Sequence, residues 1–343
     1  MKKFFVKSAL FLSPFLLLFA TTHFYTKDKG DLLRVGFLKA DNSYRDVFKA
    51  EMNQPLYYDS LSPLNTKKKT SYTVLIIGDS FSAQGCYGYP NYLAQFDSIR
   101  VLYCDFNKYG NSIETLYGVL NDGILDRVDI RYVLLESVER DFVKRGYELN
   151  KQIRLSDFPR SMNHGGKVNY NTSFPPPELV KFPLYSILYH FSDRAFLSDV
   201  YQVKMDRPLF TGSRTHTLLF HKLELKNIGK NNTIEAVSNL NTDLNKVSKK
   251  LQDRAIKLIV LPCPDKYDMY YNYIANKVDY PKPLFFELMS QMEKSYSYID
   301  SKALLGNSIR TKKDIYFFDD THWSPWGSQL IAKEISNMIQ RKK

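Results

Sequence analysis

Two short segments at opposite ends of the chain carry the residues best suited to chemistry. They are Val74-Leu75-Ile76-Ile77-Gly78-Asp79-Ser80-Phe81-Ser82 and Asp319-Asp320-Thr321-His322-Trp323. The first reads as a buried strand that enters a sharp turn and ends on a serine. The second offers a histidine with carboxylates two and three residues before it. Serine, histidine and an acid are the minimum set for acyl transfer through a covalent serine ester. The acid orients the imidazole, whose other nitrogen takes the serine proton. Asp320 is the expected acid and Asp319 the alternative. Each segment also has a simpler reading, as a helix N-cap serine and as a surface turn.

The elements that must bring these ends together can be read from hydrophobic periodicity. Strands are expected at Thr73–Ile77, Ile99–Cys104, Tyr132–Leu135 and Lys257–Leu261. Helices are expected at Tyr92–Phe96, Ser112–Leu125, Val237–Ala255, Phe285–Tyr296 and Ser328–Gln340. Apolar strands separated by helices predict an α/β fold, a parallel sheet covered on both faces. Sites in such sheets lie at the strand C-terminal ends, where Ser80 falls. Residues 146–235 break the rhythm and read as an insertion containing a helix at Leu184–Phe196, placed to shape a substrate cleft.

The N-terminus carries Lys2, Lys3 and Lys7, followed by an almost uncharged run to Thr22. Residues 1–26 therefore read as a signal anchor or signal peptide, with no clear cleavage site. This predicts an inner-membrane, single-pass protein whose main domain lies outside the cytoplasm. Residues 27–71 read as an exported linker and N-terminal region, and residues 72–343 as the α/β domain. The formal net charge of +12 suits anionic headgroups or polymers. An exported topology argues against nucleic acid. The three cysteines, Cys86, Cys104 and Cys263, allow at most one disulfide and have no zinc-like spacing. His164, His190, His216 and His221 likewise form no metal-ligand pattern. No cofactor is expected.

With these residues in view, the chain resembles the SGNH/GDSL-type hydrolases, and more narrowly the alginate O-acetyltransferase-type branch. Gly78-Asp79-Ser80-Phe81 resembles the nucleophile block. Asp320-Thr321-His322-Trp323 with Gly327 resembles the acid-x-His-Trp block, and Pro264-Asp265-Lys266 through Tyr270 a late "Pro-x-Lys … Tyr" segment. The resemblance covers about residues 72–140 and 255–340 and implies a three-layer α/β/α fold. It departs from the family in two ways. Leu135-Glu136-Ser137-Val138-Glu139-Arg140 stands where ordinary members carry an oxyanion-hole asparagine. The serine block also precedes the acid/His block, as in general SGNH hydrolases and teichoic acid D-alanylation proteins.

The resemblance implies an exported serine-dependent O-acyltransferase acting on a polysaccharide hydroxyl, with a multispanning membrane acyltransferase as partner. Gly110, Arg140, Lys266 and Trp323 are then candidates for oxyanion or substrate contacts. The alternatives are an SGNH-type carbohydrate esterase or deacetylase, and a non-catalytic polysaccharide-binding or assembly protein of the cell envelope.

Overall fold

The computed structural model describes residues 1–26, 30–41, 43–61, 70–96, 98–105, 111–147, 149–155 and 177–341. Its centre is a six-stranded sheet. The strands are β1 (Asp59–Ser60), β2 (Ser71–Gly78), β3 (Val101–Asp105), β4 (Asp129–Val138), β7 (Lys257–Cys263) and β8 (Ser297–Tyr298). They lie in the order β1-β3-β2-β4-β7-β8, and every pairing is parallel. The two remaining strands, β5 (Val200–Lys204) and β6 (Thr217–His221), form a separate antiparallel pair.

Alternation along the strands divides the core. Val74, Ile76, Leu134, Ile259 and Leu261 face one hydrophobic cluster. Leu75, Ile77, Leu135, Leu258 and Val260 face the other. Both faces are covered by helices, which is why the strands are almost continuously apolar. The mixed α/β architecture with a parallel sheet is the one expected from the sequence. The chain leaves β2 toward β3 and leaves β4 toward β7, so a crevice opens between the C-terminal ends of β2 and β4. This is the switch point at which open α/β sheets place their sites.

Two differences from the sequence reading have physical causes. Residues 30–61 are not a linker. A helix at Asp31–Gly36 buries Leu32 and Leu33, and Phe48 lies fully buried among Tyr44, Phe317 and Trp326. The segment looked polar because short apolar groups such as Leu32-Leu33 and Phe37-Leu38 are interleaved with charged residues and never build a long periodic run. Within the supposed insertion, the helix runs over Pro177–Leu188 rather than Leu184–Phe196. The β5–β6 pair packs Val200, Val203, Leu218 and Phe220 into the same core. Residues 156–176, Lys67-Lys68-Lys69, His164 and Gly110 lie outside the described residues. No disulfide joins Cys86, Cys104 and Cys263.

The N-terminal helix, Lys2–Thr26, is long and apolar enough to cross a membrane, with a window of mean hydropathy 1.8. Its 25 residues span about 37 Å, enough for a hydrocarbon core of about 30 Å.

If residues 30–61 belong to the core, truncating one of their buried rings should be costly. Phe48→Ala is expected to destabilise the full chain by about 3–5 kcal/mol in denaturant unfolding. A change within about 0.5 kcal/mol would fit an exposed linker instead.

Candidate active site

The first half of the site is the turn after β2. Gly78 ends the strand where no side chain fits: a Cβ there would collide with Ser82 Oγ and the Glu136 carboxyl group. Asp79 points inward. Its carboxylate accepts from Phe81 N–H at 3.1 Å and Val138 N–H at 2.9 Å, and pairs with Arg145 at 2.7 Å. Burial alone would push this carboxyl up, but the Arg145 guanidinium and these hydrogen bonds hold it down to about 2. Glu136 Oε2 accepts from Asp79 N–H and from Ser82 Oγ–H, both at 2.7 Å. Burial and the neighbouring Asp79 charge raise the Glu136 carboxyl well above its usual range. Asp79 is therefore a brace between β2 and β4. With it fixed, Ser80 is left exposed at the crevice. Among the described residues, the Ser80 backbone N–H makes no hydrogen bond.

The second half is the turn between Ile315 and Ser324. It is closed by backbone bonds from Phe317 to His322 (3.0 Å) and from Ser324 to Ile315 (2.9 Å). Ser324 then caps the Pro325–Gln340 helix through Trp326 N–H. His322 projects back toward β2, with Nε2 2.8 Å from Ser80 Oγ. Its Nδ1 lies 2.6 Å from Asp320 Oδ1. With Nδ1–H donated to Asp320, Nε2 is the nitrogen free to accept the Ser80 hydroxyl proton. Asp319 faces elsewhere. It accepts from Gly30 N–H at 3.0 Å and from Arg45 Nε at 2.9 Å.

The remaining candidates fall differently from expectation. Lys266 is fully buried, and its ammonium donates to the carbonyls of Phe317 (2.7 Å), Phe318 (2.7 Å) and Asp320 (3.1 Å). It therefore holds the histidine turn from beneath rather than reaching a substrate. Burial lowers it to about 8 against the pull of nearby carboxylates. Trp323 is also buried, edge-on to Phe81 at 4.8 Å, and offers no surface to a ligand. Arg140 pairs with Asp265 at 2.5 Å, while Glu139 accepts from Asp265 N–H, so these neighbours are not an ion pair with each other. Gly110 is outside the described residues.

Sequence reasoning missed Asp31, Arg45 and Arg145. Asp31 accepts from Thr321 N–H at 3.0 Å and Thr321 Oγ1–H at 2.8 Å. Arg45 bridges Asp319 and Asp320, at 2.9 and 3.1 Å. Asp31 opens a helix in front of the apolar pair Leu32-Leu33, a helix-start pattern that would have marked the segment as structured. Nothing in the sequence around Arg45 or Arg145 points to the site. Asp31, Asp320 and His322 bring one potential ligand atom each within 4.8 Å of one another. Both ring nitrogens of His322 and both oxygens of Asp31 already have partners within the chain, so the trio reads as a hydrogen-bonded acid/base cluster.

Several charges set the basicity of His322. Burial lowers its pKa, and the hydrogen bond and charge of Asp320, followed by the charge of Asp31, more than offset that and raise it. Arg140 pulls it down slightly. Asp320 works against its own burial and is held well below the usual carboxylate range by His322 and Arg45. Removing the Asp31 charge removes one stabiliser of the imidazolium. Asp31→Asn should thus lower the pKa of His322, read by NMR titration of the imidazole and assigned through His322→Gln. An unchanged His322 titration would contradict this electrostatic account.

Residues 219–343 match the family described as SGNH hydrolase-like domain, acetyltransferase AlgX. A relative from Pseudomonas aeruginosa, "Probable alginate O-acetylase AlgJ", is 31% identical over 99 residues, 27% of this chain. The match spans about a quarter of that relative, 25% of its length. No solved structure matches. Taken with the parallel sheet, these matches support the SGNH hydrolase-like, alginate O-acetyltransferase-type branch that the sequence motifs resemble.

Proposed function

We propose that the chain is an exported, inner-membrane-anchored O-acyltransferase that moves an acyl group, specifically acetyl, onto a polysaccharide hydroxyl through an acyl-serine. The observation that carries this reading is the unbroken line from Asp320 through His322 to Ser80, with separations of 2.6 and 2.8 Å. These are hydrogen-bond distances between acid, base and nucleophile.

In this mechanism Ser80 Oγ bonds to the donor carbonyl carbon as its proton passes to His322 Nε2. Asp320 stabilises the imidazolium that forms. The carbonyl oxygen becomes an oxyanion, and the Ser80 N–H, which makes no hydrogen bond among the described residues, is a backbone donor available to it. Collapse expels the donor's oxygen or sulfur, which takes the proton from His322. An acceptor hydroxyl then gives its proton to His322 as its oxygen bonds to the ester carbonyl carbon, and the bond from that carbon to Ser80 Oγ breaks as Oγ takes the proton back from His322.

The domain division follows the same reading: residues 1–26 anchor the protein and the rest forms the catalytic unit outside the cytoplasm. A membrane-bound multispanning acyltransferase would supply the acyl group from the anchored side. A second reading, esterase, is favoured by the exposure of Ser80, since water can then reach the acyl-serine.

The test supplies the full chain with a chromogenic acetyl ester, with and without added polysaccharide. Turnover and labelling by a serine-directed fluorophosphonate should both be lost in Ser80→Ala, with a fall on the order of 10⁴-fold or more in turnover. Acetyl on the polysaccharide supports the transferase, and free acetate alone supports the esterase. Equal turnover by wild type and Ser80→Ala would exclude both.

A further inference from the structure

The Pro177–Leu188 helix takes no part in the proposed chemistry, yet it leaves an unusual surface. Val180, Leu184 and Ile187, extended by the turn to Phe191, recur at helical spacing along one face. They are exposed by 57, 48, 61 and 82%. Phe196 and Leu197 follow on the adjoining loop and are also exposed. The opposite face is anchored in the protein: Tyr185 is buried edge-on to Phe37, and Tyr189 Oη donates to the Val200 carbonyl at 2.9 Å. A water-soluble surface rarely leaves so many large apolar side chains together without a partner.

Position identifies the partner. The helix packs beside the Lys2–Thr26 helix, and Phe182 stacks on Tyr25 with ring centroids 6.3 Å apart. None of the apolar window of the Lys2–Tyr25 stretch is buried by protein, so its flanks are open to lipid. Tyr25 and Phe24 close that stretch with the aromatic pair typical of a membrane–water boundary. Lys39 lies over the Tyr25 ring at 4.6 Å and Lys181 over the Phe37 ring at 4.8 Å. Lys39 thus lies at the end of the spanning helix and Lys181 on the helix packed beside it, where anionic headgroups would attract both ammonium groups.

We propose that the 180–191 stripe and the 196–197 loop dock into the outer leaflet of the bilayer beside the spanning helix. The occupant is lipid, and the geometry is that of an interfacial helix with its apolar face in the acyl boundary. This rests on the reading of Lys2–Thr26 as a membrane span, but not on any catalytic role. Docking at a second place would stop the exported domain from swinging freely on its anchor and would hold the crevice at a constant height above the bilayer.

The test uses the full chain in phosphatidylethanolamine/phosphatidylglycerol proteoliposomes containing acyl-chain-brominated lipid, which quenches tryptophan at short range. Ile187→Trp and Leu184→Trp report on the stripe, Val278→Trp on an exposed site elsewhere, and Phe15→Trp on the span. Native Trp323 and Trp326 emission is subtracted. Quenching of the stripe reporters several-fold above Val278→Trp is the expected result. Stripe quenching no greater than at Val278, with Phe15→Trp strongly quenched, would overturn the proposal and leave the span intact. An unquenched Phe15→Trp would remove the span and the docking together. Stripe emission shielded from water, insensitive to bromine and lost on diluting protein in lipid would overturn it in favour of a second copy of the chain. Catalytic failure of the protein would change none of these readings.

Discussion

A buried ammonium must find an acceptor for each of its protons, and Lys266 finds three in the carbonyls of Phe317, Phe318 and Asp320. That requirement shapes the histidine turn. The segment has little regular structure of its own beyond the bridge between Tyr316 and Trp323. Its carbonyls converge because leaving the charge unsatisfied in the core would be far more costly than bending the backbone. Carboxylates on the other side of the turn are gripped by Gly30, Asp31's neighbour, and by Arg45. The imidazole thus projects from a loop clamped by charge on both sides.

The nucleophile turn is held by a different device. Asp79, Glu136 and Arg145 tie the end of β2 to β4 and to the helix that follows it. The two turns then meet through Phe81, whose ring lies 4.8 Å from both the His322 and the Trp323 rings. Gln84 adds a bond to the Trp323 carbonyl at 2.9 Å. The spacing between Ser80 and His322 is therefore set by packed and hydrogen-bonded neighbours on every side. Such support is what a reacting pair needs, because small displacements cost large factors in rate.

How much of this was legible in the sequence depended on whether the signal was local. The strands around β2, β4 and β7 announce themselves through β-branched apolar runs, and Gly78-Asp79-Ser80 and Asp320-x-His322 through spacing. Lys266 and Trp323 were visible as residues but misread in role, because a lysine after a proline and a tryptophan beside a histidine look like surface features. Their burial follows from the tertiary crossing of β7 and the 315–324 turn, which no local pattern records. Asp31 and Arg45 were missed for the same reason: they reach the site from nearly the full length of the chain away. The β5–β6 pair escaped notice because its strands are short and sit amid irregular sequence.

Asp31 lies a few residues beyond the Lys2–Thr26 helix and holds Thr321 of the histidine turn. The most direct measurement of the central claim is to trap the intermediate. The full chain is mixed with an acetyl donor, quenched in acid within the first turnover and digested for mass spectrometry. The account predicts acetyl on the peptide containing Ser80, its absence in Ser80→Ala and its near absence in His322→Ala, and its loss from the wild-type chain on adding an acceptor polysaccharide. A donor consumed at full rate with no acetyl on Ser80 would contradict it.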